Sequence, residues 1–378
     1  MAPTRATTTG QSAAVQLEHE KGSSMNKIQV TFASLAASFA LAATTVPAHA
    51  EGALNILTWE GYVDPSFIEP FEEATGCKVT ATLVGSNDDY APKLLASGGL
   101  YDLVTPTIDT TMPLIMNDLI EPLDLSRLPR FNEIFPEFRA LEGINLDGQV
   151  YGVPWVWGSN PLMYRVDKFE TPPTSIEVLF DPAMEGRVSL WDDKSSLYIG
   201  ARRLGIRGAD VFDMSDEQLA QVRDEMIGQK SNIRKYWATA GELVNLYATG
   251  EVWISNTWGG YQVALLAEKG IDAREFIPEE GVDGWVDVWQ IVKGAQNEDC
   301  AYQFLNMTIS EQGQCGQVNV TGYSPTNPVA VASCLSEEQL QGLHMDDAEY
   351  RASIVYQQNL GPRLPAYLAT WNAIKAAN

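Results

Sequence analysis

The sequence is poor in histidine and in positive charge, and each shortage excludes a class of protein. Of 378 residues only 3 are histidine, at positions 19, 49 and 344, so histidine triads and histidine-rich metal sites lack the residues they need. With 25 Lys and Arg against 49 Asp and Glu, the formal net charge is −24. Nucleic acid and anionic membrane surfaces are therefore poor partners, whereas a cation would be attracted.

Cysteine is also scarce, with four residues at Cys77, Cys300, Cys315 and Cys334. The absence of a C-x-x-C pair argues against a zinc ribbon or a thioredoxin-like redox site. Three of the four cysteines fall within 35 positions, and an exported chain can form disulfides. We therefore expect one bridge among Cys300, Cys315 and Cys334, and the choice of pair stays open.

Long apolar runs are missing except near the N-terminus. Residues 25–27 give a short positive start, residues 28–43 are mostly apolar and small, and residues 46–50 end in an A-x-A pattern. This order predicts a secretory signal peptide over residues 25–50, cleaved after Ala50, with residues 1–24 as an upstream extension without structural role. The apolar run is too short, and too rich in Ala, Ser and Thr, for a membrane span.

A strand, a helix and a strand follow one another twice between residues 54 and 105. Asp64 is a good N-cap before Pro65, and Gly76 would end that helix. This alternation predicts a mostly parallel sheet with helices on both sides, whose ligands bind at the carboxyl ends of strands. The side chains expected at those ends are Trp59, Glu60, Tyr62, Thr107 and Asp109.

The remainder of the chain predicts a second lobe. An extended segment at 151–158 would leave the first lobe, and a strand at 285–292 would return to it after a second α/β region. We expect one lobe from residues 51–157 plus 290–330 and the other from 158–289 plus 331–378. Two crossings of this kind create a cleft with a hinge, a common place for a small ligand.

The segment GWVDVW at 284–289 is the strongest indication of what that ligand is. Alternate residues of a strand face the same way, so Trp285, Asp287 and Trp289 would line one face. A carboxylate framed by indole rings suits an organic cation, because the charge pairs with the acid while methylenes or methyls lie on the rings. The alternative is a core strand whose Asp caps a neighbouring element.

Nine short motifs resemble, in order and over nearly the whole chain after residue 50, the periplasmic polyamine-binding proteins that deliver spermidine or putrescine to ABC importers. The motifs are TWEGYV (58–63), YDLVTPT (101–107), YGVPWVWG (151–158), WDD (191–193), GEV (250–252), NTWGG (256–260), WVD (285–287), GYSPTN (322–327) and YQQ (356–358).

The resemblance implies a two-lobed α/β fold of the type II periplasmic binding proteins, with mixed sheets flanked by helices. It also implies a periplasmic, non-enzymatic and monomeric protein that takes a small cationic ligand, needs no cofactor and meets an inner-membrane ABC permease. Carried over by position, Trp59 and Tyr62 would form one wall and Asp287 would bind an ammonium. Stacking residues and polar contacts would come from Trp258, Trp285, Asp193 and one of Gln357 and Gln358.

Two positions depart from the family. Ser196 stands where the family has an acid, and Asp109 stands where it has an aromatic residue. A diamine needs acceptors at both ends, because a buried unpaired ammonium is very costly, so Asp109 or Asp193 would have to serve the far end. The complete set of expected ligand-binding residues is Trp59, Tyr62, Thr107, Asp109, Asp193, Trp258, Trp285, Asp287 and Gln357, with no catalytic and no metal-binding residues.

Other ligands stay open at this point. A methylated onium compound such as choline, a betaine or a sulfonium analogue would suit an aromatic box in which Trp155, Trp157, Tyr261 and Trp289 supplement the other tryptophans. A Trp-lined sugar site, in a binding protein or a glycosidase with paired carboxylates, is a further alternative. A ferric-ion binder of similar architecture is disfavoured, because it would want clustered Tyr and His ligands.

Overall fold

The computed structural model describes residues 52–377, so the predicted extension, signal peptide and cleavage site lie outside the described residues. Its strands, in chain order, are Gly52–Thr58 (β1), Cys77–Leu83 (β2), Leu103–Val104 (β3), Asn145–Leu146 (β4), Gln149–Val150 (β5), Val153–Ser159 (β6), Leu162–Arg165 (β7), Val188–Trp191 (β8), Ile233–Trp237 (β9), Ile254–Asn256 (β10), Ala273–Phe276 (β11), Gly284–Ile291 (β12) and Ser324–Pro325 (β13).

Helices cover both sheets. In chain order they are Pro65–Thr75 (α1), Tyr90–Ala96 (α2), Ile108–Met116 (α3), Pro136–Arg139 (α4), Leu197–Arg203 (α5), Asp216–Gly228 (α6), Ala240–Ala248 (α7), Tyr261–Glu268 (α8), Glu298–Thr308 (α9), Glu311–Thr321 (α10), Pro328–Val331 (α11), Glu337–Gly342 (α12), Ala348–Ser353 (α13) and Leu364–Ala376 (α14). None of these helices in the described part of the chain is long and apolar enough to cross a membrane.

Two sheets define the two lobes. The first lobe holds a six-stranded sheet in the order β13-β6-β12-β3-β1-β2, and the second holds a five-stranded sheet in the order β11-β7-β10-β8-β9. The pairs β1–β2 and β1–β3 are parallel, as expected, but β12 runs antiparallel to both β3 and β6. The sheet is therefore mixed, because β12 enters it from the second lobe and not through a helical crossover of the first lobe.

Helix α1 begins and ends at the predicted residues. The Asp64 side chain accepts a hydrogen bond from the Ser66 amide, and Gly76 ends the helix with a φ of 75° that side chains other than glycine rarely adopt. The buried side of the helix is the apolar stripe Phe67, Ile68 and Phe71. Because this stripe packs on the sheet, α1 fixes the loop between β1 and α1, which carries two of the predicted binding residues.

Three segments connect the lobes: the turn from β6 to β7, the segment from β11 to β12, and residues 354–360 before α14. Backbone hydrogen bonds hold them together, from Asn160 N to Asp283 O (3.1 Å), from Gly284 N to Val355 O (3.0 Å) and from Gln357 N to Gly284 O (2.8 Å). The exact lobe boundaries stay a prediction, although β12 lies in the six-stranded sheet along its whole length.

Two disulfides close loops of very different length. The expected bridge among the three later cysteines forms between Cys315 on α10 and Cys334, which are 19 residues apart. A second bridge, which the sequence did not predict, joins Cys77 at the start of β2 to Cys300 on α9, 223 residues away. It ties the edge strand of the first sheet to a helix that packs on the same sheet.

Candidate ligand-binding site

Asp287 lies in the middle of β12 and is only 5 % exposed. Its Oδ1 accepts a hydrogen bond from the Thr107 hydroxyl (2.8 Å), and its Oδ2 accepts one from the Tyr62 hydroxyl. Tyr62 and Thr107 come from the loops that follow β1 and β3. The carboxyl ends of two parallel strands thus meet the returning strand at this carboxylate.

The Asp287 carboxyl is electrostatically unsatisfied. Burial raises its pKa to about 7, the two hydroxyl donors lower it in part, and the nearby charge of Asp109 adds to the rise. Within residues 52–377 it forms no ion pair, because both of its side-chain hydrogen-bond donors are neutral hydroxyls. A buried carboxylate without an ion pair is stabilised most by a ligand that carries a positive charge.

Indole rings form the wall beside this carboxylate. Trp258 lies 5.8 Å from Trp59 and 5.6 Å from Trp191 between ring centroids, in edge-to-face arrangements. The ring nitrogens of Trp59 and Trp191 donate to the carbonyls of Thr105 and Gly85 (2.8 Å each). These hydrogen bonds prevent the two rings from rotating freely and so fix the orientation of their faces and edges.

Trp285 and Tyr323 complete the aromatic lining, with centroids 4.8 Å apart. The Trp285 ring lies on β6 at Gly158, where an added Cβ would come within 2.6 Å of the indole. Its ring nitrogen donates to Ser159 O (3.1 Å) and Trp258 O (3.2 Å). Gly158 is therefore required for the position of this ring.

These groups enclose a cavity with about 370 Å³ of space between their atoms, counting the space open to solvent at its mouth. Trp191 and Trp258 belong to the second lobe, and most other lining residues belong to the first. The lining residues are Trp59, Glu60, Tyr62, Thr107, Asn160, Trp191, Trp258, Trp285, Asp287, Tyr323 and Gln357.

Seven of the nine predicted binding residues line this cavity: Trp59, Tyr62, Thr107, Trp258, Trp285, Asp287 and Gln357. Their role in binding stays a prediction. Trp289, expected on the same strand face, lies farther along β12 and packs in the core against Trp155 and Phe304 (5.3 and 5.0 Å). The other residues suggested for an onium box, Trp155, Trp157 and Tyr261, do not line the cavity either.

Asp109 and Asp193, the remaining two predicted residues, lie outside the cavity lining and already have partners. The Lys194 ammonium lies 3.1 Å from Asp109 Oδ2 and 3.4 Å from Asp88 Oδ1. Asp193 caps the short helical turn that follows it through the Ser195 amide (2.8 Å) and accepts a hydrogen bond from the Ser86 hydroxyl (2.7 Å). The two acids expected to bind the far end of the ligand are therefore paired with groups of the protein itself.

A second polar cluster lies at the connections between the lobes. The Asp283 carboxylate accepts hydrogen bonds from Gln357 Nε2 (2.6 Å) and Asn160 Nδ2 (2.7 Å), and it forms an ion pair with Arg202 (3.2 Å). Gln357 and Asn160 also line the cavity. Asp283 therefore orients two polar side chains at the edge of the site, with its own charge neutralised by Arg202.

Four lining residues were absent from the predicted set: Glu60, Asn160, Trp191 and Tyr323. Glu60 was expected at the carboxyl end of β1 but was not carried into that set; Asn160 and Trp191 carry the same signal, because they stand at or just beyond the carboxyl ends of β6 and β8. Tyr323 precedes the short strand β13, and no local pattern distinguishes it from a core residue. Among the described residues, no group of three or more His, Cys, Asp and Glu side chains is arranged to hold a metal ion.

The model of the bacterial extracellular solute-binding proteins matches residues 66–341, which is most of the chain. The chain belongs to this family. The putrescine-binding periplasmic protein PotF of Escherichia coli is 27 % identical over 273 residues, covering 68 % of this chain and 73 % of that protein. The spermidine/putrescine-binding periplasmic protein of the same organism is 27 % identical over 348 residues, covering 90 % and 97 %.

Solved structures agree on the two-lobed periplasmic binding protein fold. A protein of Listeria monocytogenes, described as a spermidine/putrescine ABC transporter, is 25 % identical and superposes with a TM-score of 0.77 over 86 % of this chain and 100 % of that chain. AgtB of Agrobacterium tumefaciens, solved with agropinic acid, is 20 % identical with a TM-score of 0.70 over 85 % and 98 %. The predicted fold class is confirmed, and the family is one of solute-binding transport proteins.

Proposed function

We propose that this chain is the periplasmic binding component of an ABC importer and that it captures a small organic cation between its lobes. One observation carries the proposal: within residues 52–377, both side-chain donors to the buried Asp287 carboxylate are neutral hydroxyls, and the carboxylate faces a cavity lined by indole rings. The family membership supports the transport role, and the relatives named for putrescine and spermidine support a cationic solute.

The energetics of this cavity favour a cation over a neutral solute. A charge-assisted hydrogen bond to Asp287 contributes about 1.5–3 kcal/mol. Each cation–π contact adds roughly 0.5–2 kcal/mol, depending on how far it is desolvated. One such hydrogen bond and three cation–π contacts contribute at most about 9 kcal/mol before the cost of association, so burial of the ligand's apolar surface must supply the rest of a micromolar affinity of about −8 kcal/mol.

Polyamines are the first ligands to test. Glu60 lines the same cavity as Asp287 and is half-buried, so it offers a second acid at the rim. Its Oε2 accepts a hydrogen bond from the Gly241 amide of the second lobe (3.2 Å). Because Glu60 is partly in water, its attraction for a second ammonium would be modest.

A methylated onium compound is the second candidate, and the density of indole rings favours it. Trp59, Trp191, Trp258 and Trp285 all contribute to the lining, and tryptophan faces bind quaternary ammonium groups better than other aromatic faces do. Such a ligand needs one carboxylate and no hydrogen-bond donor of its own. A neutral sugar would leave the Asp287 charge unpaired, so it ranks below both cations.

The remaining functional assignments follow from the same role. We propose that the chain acts without catalysis and without a cofactor, as a monomer that hands its solute to an inner-membrane permease. The net charge of −24 makes nucleic acid an unsuitable partner. Secretion to the periplasm rests on the predicted signal peptide and on the periplasmic location named for the relatives.

Isothermal titration of the protein lacking residues 1–50 with 1,4-diaminobutane, spermidine, choline, glycine betaine and glucose tests the proposal. We expect at least one cation to bind at micromolar concentration and glucose not to bind. Asp287→Asn should weaken binding of that cation by about tenfold, since a charge-assisted bond is replaced by a neutral one about half as strong. Asp272→Asn, at an exposed carboxylate, is the matched control and should bind normally. Unchanged affinity in Asp287→Asn contradicts the proposal.

A further inference from the structure

Lys194 is a lysine of the second lobe whose ammonium is buried against carboxylates of the first lobe. It follows β8, whereas its partners Asp109 (3.1 Å) and Asp88 (3.4 Å) follow β3 and β2. The side chains of Lys194 and Asp109 are 3 % and 2 % exposed, and that of Asp88 is 29 % exposed. The ammonium therefore bridges the two lobes in an almost dry environment.

Asp193, the third acid of this cluster, is also satisfied by the protein. Besides the Ser86 hydroxyl and the Ser195 amide, it accepts a hydrogen bond from the Asn87 amide (3.2 Å). Burial alone would raise the pKa of Asp193, but the Lys194 charge and these hydrogen-bond donors together hold it below its usual value. None of the three carboxylates thus lacks a partner.

The cluster is connected to the ligand cavity through two hydrogen bonds. The Asn87 side-chain oxygen accepts from the Thr107 amide (3.0 Å), and the Thr107 hydroxyl donates to Asp287 (2.8 Å). The charge of Asp109 also contributes to the raised pKa of Asp287. The Asp109 carboxylate that pairs with Lys194 therefore also acts on Asp287, the proposed anchor of the ligand's cation.

We infer that Lys194 is a specificity-determining residue whose ammonium takes the place of a second ligand ammonium between the lobes, so that the interior of the site binds one cationic group per ligand. The inference rests on the proposed function and narrows its ligand class. It follows from the pairing of these acids: the Lys194 ammonium already lies at ion-pair distance from Asp109 and Asp88, whereas Asp287 forms no ion pair within the described residues and so stays open to a ligand's cation.

The ratio of affinities for two ligands of equal length measures this property. Wild-type protein should bind 1,4-diaminobutane no more than about tenfold more tightly than 1-aminobutane, since the partly exposed Glu60 is the one other acid among the described residues that line the cavity. Lys194→Met removes the charge while keeping most of the side-chain volume. It should raise the ratio by about tenfold or more, as expected for charges that interact at an effective dielectric constant near 20.

Two controls separate the charge from a merely structural effect. Lys194→Arg keeps the positive charge and should leave the ratio within about threefold of the wild type, whatever it does to the melting temperature. Lys235→Met removes an exposed lysine that pairs with Glu242 in the same lobe, and it should leave the ratio unchanged. A general loss of stability weakens both ligands together and does not change their ratio.

Failure of the Lys194 inference can be distinguished from failure of the proposed function. If neither amine nor any onium compound binds wild-type protein, the proposed function fails. If the amines bind but Lys194→Met leaves their ratio unchanged, only the role of Lys194 is overturned. Should Lys194→Met not fold, the wild-type ratio decides: a diamine preference above about tenfold overturns the inference, and a ratio of about tenfold or less supports it.

Discussion

The hydroxyl of Tyr62 donates a hydrogen bond to Oδ2 of Asp287, a residue 225 positions later in the chain. This bond favours the ionised carboxylate, because a carboxylate accepts from a hydroxyl more strongly than a neutral acid does. Tyr62→Phe removes it and keeps the ring. We expect the pKa of Asp287 to rise further above about 7 and cation affinity at pH 7 to fall by roughly tenfold. Titration calorimetry at pH 7 and pH 9 checks this, since the loss should shrink at the higher pH.

The pH dependence of binding should follow the ionisation of Asp287. Its pKa of about 7 refers to the protein without ligand, and a cation binds the ionised form. Affinity for choline, whose charge does not titrate, should be full above pH 8 and fall by about tenfold per unit below pH 7. Asp88, with a pKa of about 6, adds in the same direction at lower pH. Constant affinity from pH 8 to pH 5 contradicts a carboxylate anchor.

Asp287 should make the unliganded protein less stable at neutral pH than a neutral residue would. Its folded-state pKa is raised, so its contribution is favourable below about pH 4, is lost as pH rises to about 7, and then stays unfavourable. Asp287→Asn should therefore raise the free energy of unfolding at pH 8 by about 2–4 kcal/mol, with little difference at pH 4. Urea unfolding at both pH values measures it. A less stable variant at pH 8 would mean that the hydroxyl donors outweigh burial.

Trp258 should contribute through its ring and not through its ring nitrogen. That nitrogen is buried without a hydrogen-bond partner among the described residues. Trp258→Phe, which keeps an aromatic face, should weaken cation binding by about threefold, and Trp258→Leu by about tenfold to thirtyfold, following the order of cation–π strength. Choline should lose more than 1,4-diaminobutane if the ring contacts methyl groups. Equal affinities in the Trp258→Phe and Trp258→Leu variants would mean that Trp258 contributes through apolar packing and not through a cation–π contact.

The two disulfides should differ in their contribution to stability because they close loops of different length. In the chain-entropy model, the bridge across 223 residues stabilises by about 5 kcal/mol and the bridge across 19 residues by about 3 kcal/mol. The Cys77→Ser/Cys300→Ser variant should thus lose more than the Cys315→Ser/Cys334→Ser variant, which is its matched control. Denaturant unfolding of both variants gives the comparison, and the reverse order would contradict the entropic account.

Much of the fold follows from local patterns in the sequence. The cap at Asp64, the stop at Gly76 and the apolar stripe between them specify α1 within one residue. The carboxyl-end rule for parallel strands brings Trp59, Tyr62 and Thr107 to the cavity, since it depends only on the order of strands and helices.

What the sequence did not predict depends on contacts between residues that are far apart in the chain. Asp109 and Asp193 look available in the sequence, and the Lys194 side chain that satisfies the former approaches from the other lobe. Alternation along β12 places Trp285 and Asp287 correctly, but it does not say where the cavity ends and the core begins, so Trp289 was expected in the site. The long-range disulfide from Cys77 likewise depends on tertiary packing.

Asp283 lies where a hinge between the lobes would be. Its carboxylate holds Asn160 and Gln357, so the three connections between the lobes are fastened to one another at one edge. We expect the two lobes to open and close by rotation about that edge. A solute would then enter and leave only on the side of the cleft opposite this edge, and a permease would have one cleft opening to recognise.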